Sequence, residues 1–222
     1  GVLGAVGDNG KGIVGVAWHV QMIACKCLDS DANGSDSTSV ACIDYARTNG
    51  ARIINASLDS PGSSLAVSNA IEAAREEGII VVASAGNGFP PNSTPTNIDL
   101  NPRFPACFPI DNIISVAYTD RHDQLGTYSN YGATNVDLMA PGDQFYSTFV
   151  LSDNSYYPPP FGFINIAGTS FSTAYVSGAC ALLMAKYPDE NYQQIIARLL
   201  KATDRIPGLA DKCVTGGRLN LW

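Results

Sequence analysis

The sequence is poor in basic residues. Of its 222 residues 13 are Lys or Arg against 20 Asp or Glu, a formal net charge of −7. A field of that sign repels phosphate backbones and anionic lipid surfaces, which excludes nucleic acid and membranes as partners. No run approaches the roughly 20 apolar residues of a bilayer span. The opening GVLGAVGDNG has neither the basic start nor the apolar stretch of a leader peptide. Six cysteines, Cys25, Cys27, Cys42, Cys107, Cys180 and Cys213, include no C-x-x-C pair and no Cys/His cluster of zinc type, leaving room for a disulfide or two but not for a cysteine framework. Histidine is scarce, with His19 and His122 alone, and it is the side chain most often used as a general base.

What is present reads as one domain long enough to bury a substantial core. Residues 20–28, 52–58 and 79–85 are β-like apolar runs, with further strands predicted at 113–118 and 135–139. Between and after them, 37–48, 63–77, 170–186 and 192–203 carry helical patterning; Val67, Ala70, Ile71 and Ala74 show the spacing, and Gly50 and Gly78 fall just past two helix ends. Continuous apolar strands alternating with amphipathic helices predict an α/β fold whose mainly parallel sheet is covered on both faces. Cys25 and Cys27 share one face of the first run and read as core residues. Long loops rich in Pro and Asn are expected at 89–109 and 157–163. In such sheets, ligands bind beyond the carboxyl ends of the strands, which directs attention to the segments after Leu58 and Ala85.

Export is expected from the low Lys and Arg count, the Gly/Ser/Asn/Pro-rich connections and the sequons beginning at Asn33, Asn55 and Asn92. The glycines of Gly10-Lys-Gly-Ile-Val-Gly15 match a dinucleotide-loop spacing, but the run leads into a strand rather than a helix and reads as a plain glycine loop. Ser84-Ala-Gly-Asn87-Gly closes an apolar strand with a carboxamide able to donate into a cleft; an ordinary turn would look the same. Gly168-Thr-Ser170 opens a long helix, where Ser170 serves equally as a cap or as a nucleophile favoured by the helix dipole.

In combination these pieces resemble the subtilisin-like serine protease (subtilase, peptidase S8) family. GTSFSTAYVSG is similar to its nucleophile motif, IINASLDSP to its substrate-pairing strand, ASAGNG to its oxyanion loop, and FPACFP, IISVAY, VDLMAPG and GGRLN to the segments that follow in order. The resemblance covers nearly the whole chain and implies a three-layer α/β fold, with residues 1–222 as a single catalytic domain. It implies Ser170 as the nucleophile of an endopeptidase acting through an acyl-enzyme, with Asn87 as an oxyanion donor. Ser57, Leu58 and Asp59 would pair with the substrate as an added strand, and Ser84, Ala85 and Gly86 would wall the primary specificity pocket. Asp59 replaces a glycine of the family pattern and is expected to disfavour acidic substrate side chains and favour basic ones. Ala174 replaces a proline.

The family order is Asp, His, Ser. GVLGAV resembles the part of the histidine helix that follows the catalytic His, so the expectation is an N-terminally truncated domain lacking the Asp and His of the triad and nearly inactive alone. His19 and His122 match neither position. No cofactor is expected for catalysis. Residues 7–13 resemble a calcium loop to which Asn9 would lend its side chain. The expected partners are protein or peptide substrates, met by a secreted monomer. The alternative is a non-catalytic subtilase-like domain that binds peptides or a partner protein in the same groove.

Overall fold

The computed structural model describes all residues except 32, 89–93, 144, 149, 153–154, 157–162, 165–166 and 222. Elements run in the order α1 (Asp36–Thr48), β1 (Ile53–Ala56), α2 (Leu65–Glu76), β2 (Ile80–Ser84), β3 (Ile113–Thr119), β4 (Leu138–Pro141), β5 (Phe145–Tyr146), β6 (Val150–Ser152), β7 (Ser155–Tyr156) and β8 (Phe163–Ile164). They continue with α3 (Thr169–Lys186), α4 (Tyr192–Lys201), β9 (Asp204–Arg205), a short 3-10 turn at Pro207–Leu209 and β10 (Gly217–Arg218). The main sheet has the order β1-β2-β3-β4-β10-β9. Its ladders from β1 to β10 are parallel and β9 joins antiparallel. β5 with β8 and β6 with β7 form two small antiparallel ribbons.

Every residue of β2 and β3 is buried, which is why those strands read as largely apolar runs. Their alternate side chains serve two cores. Ile80, Val82, Ile114 and Val116 face α3 and α4, where they meet Val176, Ala179, Ile195 and Leu199. Val81, Ala83 and Ile113 face the other way, onto Ile71, Ala106 and Phe108. Each fully buried Ile or Val contributes about 1.5–3 kcal/mol, and a one-residue slip would send every side chain to the wrong layer. The three layers follow from this alternation. The fold is the α/β sandwich with a mainly parallel sheet that the sequence predicts.

The first predicted strand is the main correction. Residues 20–28 run alongside the structure without joining the sheet, and among the described residues their one pairing is a bridge from Leu28 to Gly34. An extended run becomes a strand only if it has a neighbour for its N–H and C=O groups, and here a cavity separates it from β1. This cavity, of ≈ 860 Å³, is bordered by Val20, Met22 and Cys25 on one side, Ile53 and Asn55 of β1 on another, and Phe171 and Ala174 of α3 below. Cys25 and Cys27 therefore line a cavity instead of filling a core, and both are only partly buried. The predicted strand 135–139 begins later, at Leu138, and the β9–β10 pair had no expectation behind it. Most of the predicted 157–163 loop, and 89–93 of the other, lie outside the described residues.

Candidate active site

α3 is apolar on nearly all sides because it lies inside the domain, with Val176, Ala179, Cys180 and Met184 buried. Burial pushes the Cys180 thiol up to about 12, leaving it an inert core group. Gly178 allows the N-terminal loop to press on the helix; a Cβ there would lie 2.6 Å from that of Val16. The helix begins at Thr169 with Gly168 as its cap in extended backbone, and no side chain of its own satisfies the first N–H groups. Asn87 does so from β2's end: its Oδ1 accepts the Thr169 N–H at 3.0 Å. The same carboxamide stands against Gly168, where a Cβ would come 3.5 Å from Oδ1 and 3.6 Å from Nδ2. One Asn side chain thus ties the oxyanion-loop candidate to the helix start that carries Ser170.

Ser170 is second in the helix and half-buried. Its Oγ donates to the Ser57 carbonyl at 3.4 Å, while Ser57 Oγ donates to the Ser170 carbonyl at 2.9 Å. A short relay holds this contact: Ser177 Oγ donates to Asn55 Oδ1 at 2.9 Å and Asn55 Nδ2 donates to Ser57 Oγ at 2.8 Å. Asn55 and Ser177 are positioning residues the sequence reading missed, and their signal would have been a polar residue in β1 facing a serine two turns into α3. On the other wall, Ser84 Oγ donates to the Leu58 carbonyl at 3.2 Å, joining the two predicted substrate-binding segments.

Ala85 and Gly86 are held from behind by Asn130, whose Nδ2 donates to the Ala85 carbonyl at 2.9 Å and whose N–H donates to that of Gly86 at 3.1 Å. Gly86 has φ +83°, a left-handed conformation that requires glycine. Asp59 lies directly over it, so that a Cβ on Gly86 would meet the carboxylate at 2.7 Å. Burial raises the Asp59 carboxyl and the nearby Arg103 partly offsets this. Ser170, Asn87, Ser57, Leu58, Asp59, Ser84, Ala85 and Gly86 thus come together at the carboxyl ends of β1 and β2 and the N-terminus of α3.

The histidines do not join them. His19 and His122 are exposed. His122 belongs to the turn after β3, with its N–H on Asp120 Oδ1 and its Nε2 accepting from Arg121. Asn9 also lies apart, in an exposed loop where its Oδ1 accepts the Lys11 N–H at 3.0 Å. Among the described residues no three His, Cys, Asp or Glu side chains cluster to hold a metal, and no helix is long and apolar enough to cross a membrane.

Three comparisons bear on this site. The pattern defining the subtilase family, Peptidase S8, matches residues 1–216. Subtilisin DY of Bacillus licheniformis is 35% identical over 86% of this chain and 64% of its own length, and thermitase of Thermoactinomyces vulgaris 31% identical over 100% and 71%. The chain therefore spans less than two thirds of subtilisin DY. Among solved structures, a protease of Pseudoalteromonas arctica is similar at a TM-score of 0.83, with 29% identity over 100% of this chain and 67% of that one.

Proposed function

This chain belongs to the subtilase family, and on that premise we propose that it is the nucleophile-bearing part of a secreted, monomeric serine endopeptidase acting on protein or peptide substrates. The observation that carries the reading is Asn87 seated on the start of α3, one residue from Ser170. A peptide laid along 57–59 would bring its scissile carbon to Ser170 Oγ. As the C–O bond forms, the Oγ proton passes to a general base and the carbonyl oxygen becomes an oxyanion. Asn87 Nδ2 and the Ser170 N–H are suited to receive it, aided by the helix dipole. Return of the proton to the leaving amine breaks the C–N bond, and water then releases the acyl group. The reaction needs protein groups alone.

The base is the open part of this reading. Ser170 Oγ donates to a backbone carbonyl, and a serine so engaged is a weak nucleophile. The edge position of β1 and the cavity beside it support one answer. We infer that a further strand sits between β1 and residues 20–27, beside Phe171 and Ala174, and that its segment carries the acid and base of the triad. Residues 1–222 without it would be nearly inactive. Calcium is the weakest element: Asn9 offers one oxygen, already in a turn, to an ion that takes six to eight.

The second reading, a groove that binds peptides without cleaving them, draws on the same Ser170–Ser57 contact. A serine-directed phosphonate separates the two. It should label the native-length protein and not Ser170→Ala; labelling of neither leaves the binding module as the better account.

A further inference from the structure

Asp59 is not alone in the cleft. Ser60 and Phe104 exchange two backbone hydrogen bonds, N–H to carbonyl at 2.8 and 2.9 Å. This antiparallel bridge makes Asp59 and Arg103 diagonal neighbours on one side of the pair. Arg103 Nη1 stands 3.6 Å from Asp59 Oδ2, with the two side chains 25% and 12% exposed. At that separation the two are an ion pair without a direct hydrogen bond, so each keeps unused hydrogen-bonding capacity. The Asp59 carboxylate also presses on Gly86, which stands in the predicted wall of the primary pocket.

We infer that Asp59 and Arg103 jointly set the charge selectivity of that pocket: paired, they favour an uncharged substrate side chain, and either one left alone would draw in a side chain of the opposite charge. The inference rests on the proposed role of Ser84, Ala85 and Gly86 as pocket wall. A partly buried carboxylate with no internal partner would recruit a Lys or Arg from the substrate. Here Arg103 already supplies that charge, so an incoming cation meets attraction and repulsion at similar range while still losing its hydration. The same holds, with signs reversed, for an incoming carboxylate. The wall discriminates by leaving each wrong charge uncompensated. The preference for basic side chains expected from Asp59 alone is thereby cancelled.

The test reads binding, so it does not depend on turnover. Fluorescent peptides differing only in the residue that enters the pocket, Phe, Gln, Lys or Glu, are titrated against native-length Ser170→Ala protein carrying no further change, Asp59→Asn, Arg103→Gln or both. Without further change, Phe and Gln peptides should bind about tenfold tighter than Lys and Glu. Asp59→Asn should gain about tenfold for Glu, Arg103→Gln about tenfold for Lys, and the double variant should gain neither. Thermal melts identify any variant that does not fold, and the remaining single variant still reads the effect. Equal selectivity in all four proteins, or tightest binding of a charged peptide by the parent, overturns the assignment. Phosphonate labelling of Ser170 is scored separately: absent labelling with the expected selectivity sinks the peptidase reading and leaves this pocket standing.

Discussion

The two edges of the main sheet are finished differently. At one edge β9 folds back antiparallel on β10, and Arg218 of β10 reaches both Asp123, at 2.6 Å, and Asp204, at 2.8 Å. Asn220 adds a bond to Asp204 at 2.8 Å. At the other edge β1 has no strand neighbour among the described residues and faces a cavity, and the apolar Met22 and Ile23 beyond it are 63% and 41% exposed. An unpaired edge with apolar surroundings invites an added strand. The candidate site lies between these extremes. Its oxyanion side hangs on the fully buried β2, while its substrate side hangs on β1, the less supported strand. On the proposed reading, that contrast separates binding and charge stabilisation, carried by residues of this chain, from activation of Ser170, which would depend on what occupies the edge of β1.

The largest effect should come from the buried side. Asn87→Asp keeps an oxygen for the Thr169 N–H but removes the Nδ2 donor, so the helix start should survive while, on the proposed mechanism, the oxyanion loses its partner. In the native-length enzyme kcat should fall by at least the factor subtilisin itself sets for such a donor, about 10²–10³, with little change in KM. An equal rise in KM with kcat unchanged would make Asn87 a substrate anchor.

Next in size is a pH effect beneath the core. Burial raises the Asp137 carboxyl to about 6, although its Oδ2 accepts the Ser115 N–H at 2.7 Å. The folded protein therefore holds this proton more tightly than the unfolded chain, whose carboxyl titrates near about 3.9. The stability it contributes is present below about pH 4 and is lost as pH rises through about 6, by roughly 3 kcal/mol in all. Asp137→Asn retains an oxygen for Ser115 and should raise Tm at pH 8 with little change at pH 4. The same shift at both pH values would remove ionisation as the cause.

The open edge offers a chemical reading of smaller amplitude. Cys25 and Cys27 line the cavity, whereas Cys180 and Cys213 are buried and burial pushes both thiols up. A thiol reagent should modify Cys25 and Cys27 first in the isolated 222-residue chain, and both should be protected in native-length protein if a strand fills the slot. Equal rates in the two proteins would count against that strand. At the closed edge, Arg218→Ala should cost least, since its ion pairs are partly solvated and screened by salt. A denaturation midpoint that moves at low salt and not at high salt would confirm that origin.

Much of the fold was legible because burial on both faces leaves a one-dimensional trace. β2 and β3 are largely apolar runs, and α3 and α4 end within a few residues of their expected limits. The candidate site residues were legible through motif order, Ser170 at a helix mouth and Asn87 past a strand. Residues 20–28 misled for the same reason that β2 did not: apolar content reports burial potential, and strand formation needs a neighbour. Arg103 went unread because its link to Asp59 spans 44 positions and depends on the Ser60–Phe104 bridge.

By itself, then, the sequence determined the α/β layering, the helix that presents Ser170 and the family to which the chain belongs, since periodicity and local motifs act over short stretches of chain. Only the tertiary structure decided that β1 stands at an open edge, that Asn55 and Ser177 steady Ser57, and that Asp59 shares its charge with Arg103. Those are long-range contacts, set by how strands pack and pair, and no local pattern encodes which distant partner will arrive.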